Sequence, residues 1–197
     1  MSRPHYSIVT APTIEAITVA QASDHVRVDS AADQEYIAAL IPVGRQYVED
    51  MTGKVCSRAT FRVVAASWES LGGKTLSIMR SPLVAVTSVK YYSGWGTSQT
   101  TMTVNTDYIV CAATEPGIIQ LATDPPAVAT RPDAIEIIFT AGPERPEQSP
   151  PALRHAIKMM VAHLYEERVP VSVQELKEIP HSLHALIENQ RIGGRIA

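Results

Sequence analysis

The apolar residues of this chain change period twice, and that double change limits the folds open to it. From Thr18 to about residue 57 they recur at helical spacing. From about residue 58 they alternate, and after about residue 149 the helical spacing returns. In "TVAQASDHVRV", Thr18 is a predicted N-cap with Gln21 three residues on, a capping-box arrangement opening a short helix. In "SAADQEYIAALIPVGRQYVEDMTGK", Ile37, Leu40, Ile41, Gly44, Val48 and Met51 form a stripe that Gly53 ends. Pro42 interrupts the stripe. Its ring collides with the carbonyl four residues back, so a kink or a restarted helix is expected there.

The middle of the chain reads as strands. "ATFRVVAASW", "KTLSIM", "AVTSVKYYS", "TMTVN", "DYIVCAA", "GIIQLA" and "AIEIIFTAG" are short and rich in β-branched and aromatic residues. The turn signals "LGGK", "GWGT", "EPG" and "TDPPA" separate them. This spacing predicts an antiparallel unit of about six or seven strands. A helix from Pro150 to Arg168 follows, with Ser149 as its expected N-cap and Pro170 beyond its end. "PHSLHALIENQR" is a last amphipathic segment carrying Leu183, Leu186 and Ile187. The expected fold class is α+β: a small helical bundle of N- and C-terminal helices packed together, with an antiparallel β-sheet unit inserted between them. The expected divisions are an extended arm over 1–17, N-terminal helices over 18–56, the β-rich insertion over 57–143, C-terminal helices over 149–191 and a flexible tail over 192–197.

Composition narrows the function classes. The 197 residues are 45% hydrophobic and 19% charged, enough to bury a core. A formal net charge of -3 gives none of the long-range attraction to nucleic acid that a basic domain has, while leaving passive contact with DNA open. Cys56 and Cys111 stand far apart in no ligand spacing, so reduced, half-buried thiols of an intracellular protein are expected rather than a disulfide framework. The first residues lack the apolar stretch of a secretory signal, and no run of about 18 apolar residues spans a membrane. A soluble protein, cytoplasmic when made, is expected.

The stretch "HLYEER" carries the strongest hint of chemistry. His163 precedes Glu166 and Glu167 by three and four residues, which on a helix could place an imidazole near carboxylates. On the helical wheel Leu153, Ile157, Met160, Val161 and Leu164 form the core stripe; His163 lies at its margin and Glu166 turns toward solvent. His155 is about 12 Å away along the axis and cannot share an ion with His163. A transition-metal site needs three or four converging ligands, and His5, His25, His181 and His184 supply no second pair at helical spacing. The sequence therefore favours a boundary histidine beside exposed glutamates over a small metal-dependent enzyme using His163 with Glu166 or Glu167. Glu49 and Asp50 are adjacent and diverge on a helix, and Cys56 has no histidine near it in sequence. No nucleophile elbow, Walker loop or dinucleotide fingerprint occurs. "SGWGTS" reads as a hairpin turn rather than a ligand loop, and the tyrosines of "KYYSGW" as sheet packing, one buried and one exposed, rather than a base-stacking platform.

The order of the segments carries a resemblance. "ITVAQASDHVRVDSAADQEYIAALIPVGRQYVEDMTGK", "MRSPLVAVTSVKYYS", "RPDAIEIIFTAGPE" and "PPALRHAIKMMVAHLYEERV" follow one another as in the head–tail connector (adaptor or neck) proteins of long-tailed double-stranded-DNA bacteriophages and gene transfer agents. The chain resembles that family from about Thr18 to Arg191. It departs at Pro42, where the family has a helix former, and at Val169-Pro170, which ends the long helix abruptly. The resemblance implies a non-enzymatic virion protein without a cofactor, assembled in the host cytoplasm. It would form a ring, twelvefold in the virion, beneath the portal, lengthening the channel for double-stranded DNA and receiving a stopper or tail-completion protein. It also implies a portal-contacting tail, here Arg191, Ile192, Gly193, Gly194, Arg195 and Ile196. The end of the long helix, His163, Glu166 and Arg168, becomes a candidate subunit-contact edge. Another phage module, such as a tail-completion protein, is the alternative within the same class.

Overall fold

The computed structural model describes residues 3–96, 98–167 and 181–193. The chain divides into two units: residues 14–57 with 143–197 form a helical unit, and residues 1–13 with 58–142 form a β-rich one.

The helical unit contains α1 (Val19–Val26), α2 (Ala31–Thr52), α3 (Pro151–Glu166) and α4 (His181–Gln190). Thr18 caps α1 with the reciprocal bonds expected of it: its hydroxyl accepts the Gln21 N–H, and the Gln21 side chain accepts the Thr18 N–H. Gly53 ends α2 in the left-handed conformation, with its N–H on the Glu49 carbonyl. Pro42 lies inside α2, which runs through it as one helix rather than restarting. Buried residues on both sides of the proline, Ile37 and Ile41 before it and Gly44 and Val48 after it, tie the two halves to one core and outweigh the lost hydrogen bond. Ser149 does not cap α3. Pro150 takes that position and Pro151 the first helical one, while Ser149 closes the preceding 3-10 turn at Pro146–Gln148. The shared core joins Ile37, Ile41 and Val48 of α2 to Leu153, Ile157 and Val161 of α3 and to Leu183 and Ile187 of α4. Leu164, expected in the stripe, is only partly buried because it sits in the last turn of α3.

Among the described residues the β-rich unit holds eight strands in two antiparallel sheets. These are β1 (His5–Thr10), β2 (Ala59–Ala65), β3 (Thr75–Ile78), β4 (Leu83–Tyr91), β5 (Thr100–Thr101), β6 (Tyr108–Cys111), β7 (Gly117–Leu121) and β8 (Ile135–Ala141). The first sheet has the order β1-β2-β8-β4-β5 and the second β3-β7-β6. Alternation along β2 and β8 turns Phe61, Val63, Ile135, Ile137 and Phe139 inward, and Phe61 stacks on Phe139. Leu76, Ile78, Ile119 and Leu121 are the buried residues of the smaller sheet. The two sheets touch where Gly117 lies against Leu83.

Three segments differ from the sequence reading. Part of the segment read as an extended arm is a strand, β1, paired with β2 from His5–Val64 to Thr10–Thr60 with an irregularity at Val9. Its signal was weak because only Tyr6 and Ser7 are shielded, so no inside–outside alternation marks it. "TMTVN" gives only the two-residue β5. After it the chain turns, because the Asp107 carboxylate accepts the Thr103 N–H and Asn105 takes a left-handed conformation. The two tyrosines Tyr91 and Tyr92 are both half-buried, since Tyr91 packs edge-on against Trp68 and Tyr92 lies under Arg131.

Candidate interaction surfaces

At the end of α3, His163 is half-buried and Glu166 and Glu167 are exposed; Arg168 lies outside the described residues. The His163 carbonyl accepts the Glu167 N–H and closes the helix. Tyr165 lies against Tyr36 of α2, ring centroids 6.1 Å apart. Among the described residues no group of three or more His, Cys, Asp or Glu side chains converges as a metal would require. The segment presents one half-buried imidazole and two exposed carboxylates at a helix end.

The sequence reading missed the most organised polar cluster. Arg45 is buried and donates from Nε to Glu15 Oε2 at 2.7 Å and from Nη1 to Glu49 Oε2 at 2.8 Å. The other Glu49 oxygen accepts the Cys56 N–H at 2.7 Å. Burial works to lower the Arg45 pKa, but the hydrogen bonds and charges of Glu15 and Glu49 outweigh it and hold it above the ordinary value. The cluster fastens to α2 two segments that lead to the β-rich unit, one through Glu15 and one through Cys56. The signal for it, Arg and Glu four residues apart, sits on a helix stripe that otherwise reads as apolar. Cys56 is buried here rather than half-buried, while Cys111 is exposed on a strand. Burial, reinforced by the Glu49 charge, pushes the Cys56 thiol up to about 12, so it carries no reactive thiolate at neutral pH.

His155, excluded as a partner of His163, meets a histidine from another helix. Its ring packs edge-on against His25 of α1 with centroids 5.7 Å apart. Although His25 is exposed overall, partial desolvation of its ring first, then the neighbouring His155 and Lys158, holds its pKa below the ordinary 6.5. Folding therefore opposes protonation of His25. Stability on this account is complete above pH 6.5 and falls as the pH drops through the lowered folded value. We expect the melting temperature of the wild type to drop more on acidification below pH 6.5 than that of His25→Gln. Equal drops in thermal melts across that range would refute the pairing.

The expected portal tail divides. Arg191 is exposed, but Ile192 is buried and its N–H donates to the Thr52 carbonyl at the end of α2, at 2.8 Å. The flexible tail drawn from residue 192 therefore begins too early, because Ile192 is an apolar anchor of the helical unit itself. Gly193 follows with a φ of 95°. Gly194, Arg195 and Ile196 lie outside the described residues. In the β-rich unit the large exposed apolar side chains include Ile8 and Val9 on β1 and Trp95 between β4 and β5.

No protein-family model matches the chain, and no curated protein matches it. Solved structures do. The chain is similar over 98% of its length, and 97% of the other chain's, to a chain in the neck of an empty gene transfer agent particle computed with C6 symmetry, with a TM-score of 0.76 and 22% identity. It is similar at the same coverage to a chain in the virion of a native gene transfer agent particle, with a TM-score of 0.75 and 22% identity. A chain in the neck of the native particle computed with C12 symmetry has a TM-score of 0.69 and 25% identity, again with 98% and 97% covered. The fold is thus an α+β fold shared with chains of gene transfer agent particles. Chains of gene transfer agent necks and virions share this fold, in agreement with the connector resemblance carried by the sequence motifs.

Proposed function

We propose that the protein is a structural, non-enzymatic component of a virion neck: a head–tail connector that forms a ring under the portal. The observation that carries this reading is the end-to-end match of both units to neck chains, with nearly all of either chain covered. In this role the ring lengthens the DNA channel and offers a platform to a stopper or tail-completion protein. Twelve copies suit the C12 symmetry of one matched neck. The net charge of -3 suits a wall along which DNA slides without being gripped.

The portal contact is assigned to the chain from Gly193 onward, with Arg191 beside it and Gly194, Arg195 and Ile196 beyond; Ile192 is already used inside the helical unit. His163, Glu166 and Arg168 are assigned to a subunit-contact edge. Electron microscopy of the purified protein mixed with its portal tests the reading. Rings docked on the portal are expected, and removal of residues 194–197 should abolish docking while leaving the melting temperature unchanged. Particles that remain bare would overturn it. Rings found instead at the tail end of a particle would favour the tail-completion reading.

A further inference from the structure

A ring of identical subunits joined head to tail needs two different, mutually complementary patches on each subunit. The five-stranded sheet has two such places, its opposite edges, β1 and β5. An exposed edge strand offers unpaired backbone groups to any extended chain, and proteins usually blunt it with charge or proline. β1, "HYSIVT", has no Lys, Arg, Asp, Glu or Pro, and it exposes Ile8 at 41% and Val9 at 53%. The irregularity at Val9 falls on this edge, as bulges that re-aim a side chain do.

At the other end, the turn between β4 and β5 carries Trp95, 74% exposed, the most exposed of the large apolar side chains described. The base of this turn is held firmly. The Tyr92 N–H donates to the Ala134 carbonyl, and the Tyr92 carbonyl accepts the Ala129 N–H, each at 2.8 Å. The Tyr92 ring lies 3.7 Å under the Arg131 guanidinium, which is itself clamped by both oxygens of Asp133. A large exposed tryptophan beside this fixed strand end is the kind of side chain that anchors interfaces.

Resting on the ring reading above, we propose that the β-rich units join head to tail, the Trp95 turn of one subunit seating on the β1 edge of the next against Ile8 and Val9. The occupant of each edge is a second copy of this chain. Opposite ends of one sheet supply the two unlike patches that cyclic symmetry demands, and the apolar content of both matches. The edge-to-edge contact also covers the unprotected strand.

The test follows ring assembly on purified portal by electron microscopy and mass measurement, with folding checked by circular dichroism. Trp95→Ala and Val9→Lys should each raise the concentration needed for rings about 30-fold or more, the size of an anchor-residue effect. Ile109→Lys, at an exposed position on β6, should leave assembly unchanged. In a Cys111→Ser background, a chain carrying both Ser93→Cys and Thr10→Cys should give a ladder of covalent oligomers with a short bis-maleimide. Either cysteine alone should give none. Normal rings from both Trp95→Ala and Val9→Lys, without a ladder, overturn this contact and leave the connector reading standing. Absence of rings from the wild type itself overturns both.

Discussion

Arg45→Ala is expected to lower the stability of the helical unit by about 3–5 kcal/mol, the cost of leaving a buried charge without its partner. The side chains of Arg45 and Glu49 are 6% and 5% exposed. Once the guanidinium is gone, the Glu49 carboxylate loses the cation that neutralises it, while its other oxygen still accepts the Cys56 N–H. Glu15, with 30% of its side chain exposed, can turn to water. The penalty therefore falls on Glu49. Pairing Arg45→Met with Glu49→Gln should recover most of the loss, because it removes both charges yet keeps an acceptor for the Cys56 N–H. Urea unfolding followed by circular dichroism in the helical band measures this. A loss below about 1 kcal/mol for Arg45→Ala would mean that the cluster behaves as an exposed ion pair.

That cluster also marks where the sequence stops being readable. Helix α1 was legible because its start depends on residues three apart, Thr18 and Gln21, and α2 because Gly53 supplies a local stop. β8 was legible because strict alternation carries the core from Ile135 to Ala141. The pairings that make the candidate surfaces are long-range and leave no local signature. Glu15 reaches Arg45 across 30 residues, and His25 meets His155 only once α1 and α3 pack together. β1 was missed for a related reason: an edge strand exposed over half its length has no alternation to read, and its partner, β2, begins some 50 residues later. The docking of Ile192 on Thr52 was hidden because two glycines beside it suggest mobility.

Two glycines pose the sharpest contrast in packing. Gly44 and Gly117 both sit where another chain segment comes close, yet alanine should act oppositely at the two. A Cβ on Gly117 would meet Leu83 Cβ at 2.5 Å and Leu83 Cδ2 at 2.6 Å. Rotating the leucine relieves the second contact but not the first, since Cβ moves only with the backbone. Leu83 is held in register opposite Ala141 of β8, so the strand cannot withdraw without disturbing the sheet. Gly117→Ala should therefore cost about 2–3 kcal/mol, toward the upper end of overpacking losses. At Gly44 the nearest atom is the methyl Val161 Cγ2 at 3.2 Å, the end of a side chain, and the next contacts are ordinary. Alanine also favours a helix over glycine by about 1 kcal/mol, which offsets the small adjustment asked of Val161. Gly44→Ala should remain within about 1 kcal/mol of the wild type. The chain offers a convenient readout, because both tryptophans, Trp68 and Trp95, lie in the β-rich unit. Their fluorescence should show an earlier urea midpoint for Gly117→Ala, while the helical circular dichroism signal of Gly44→Ala should keep its wild-type midpoint. A normal midpoint for Gly117→Ala would mean that the two sheets have slack at Leu83, and the packing argument for that junction would fall.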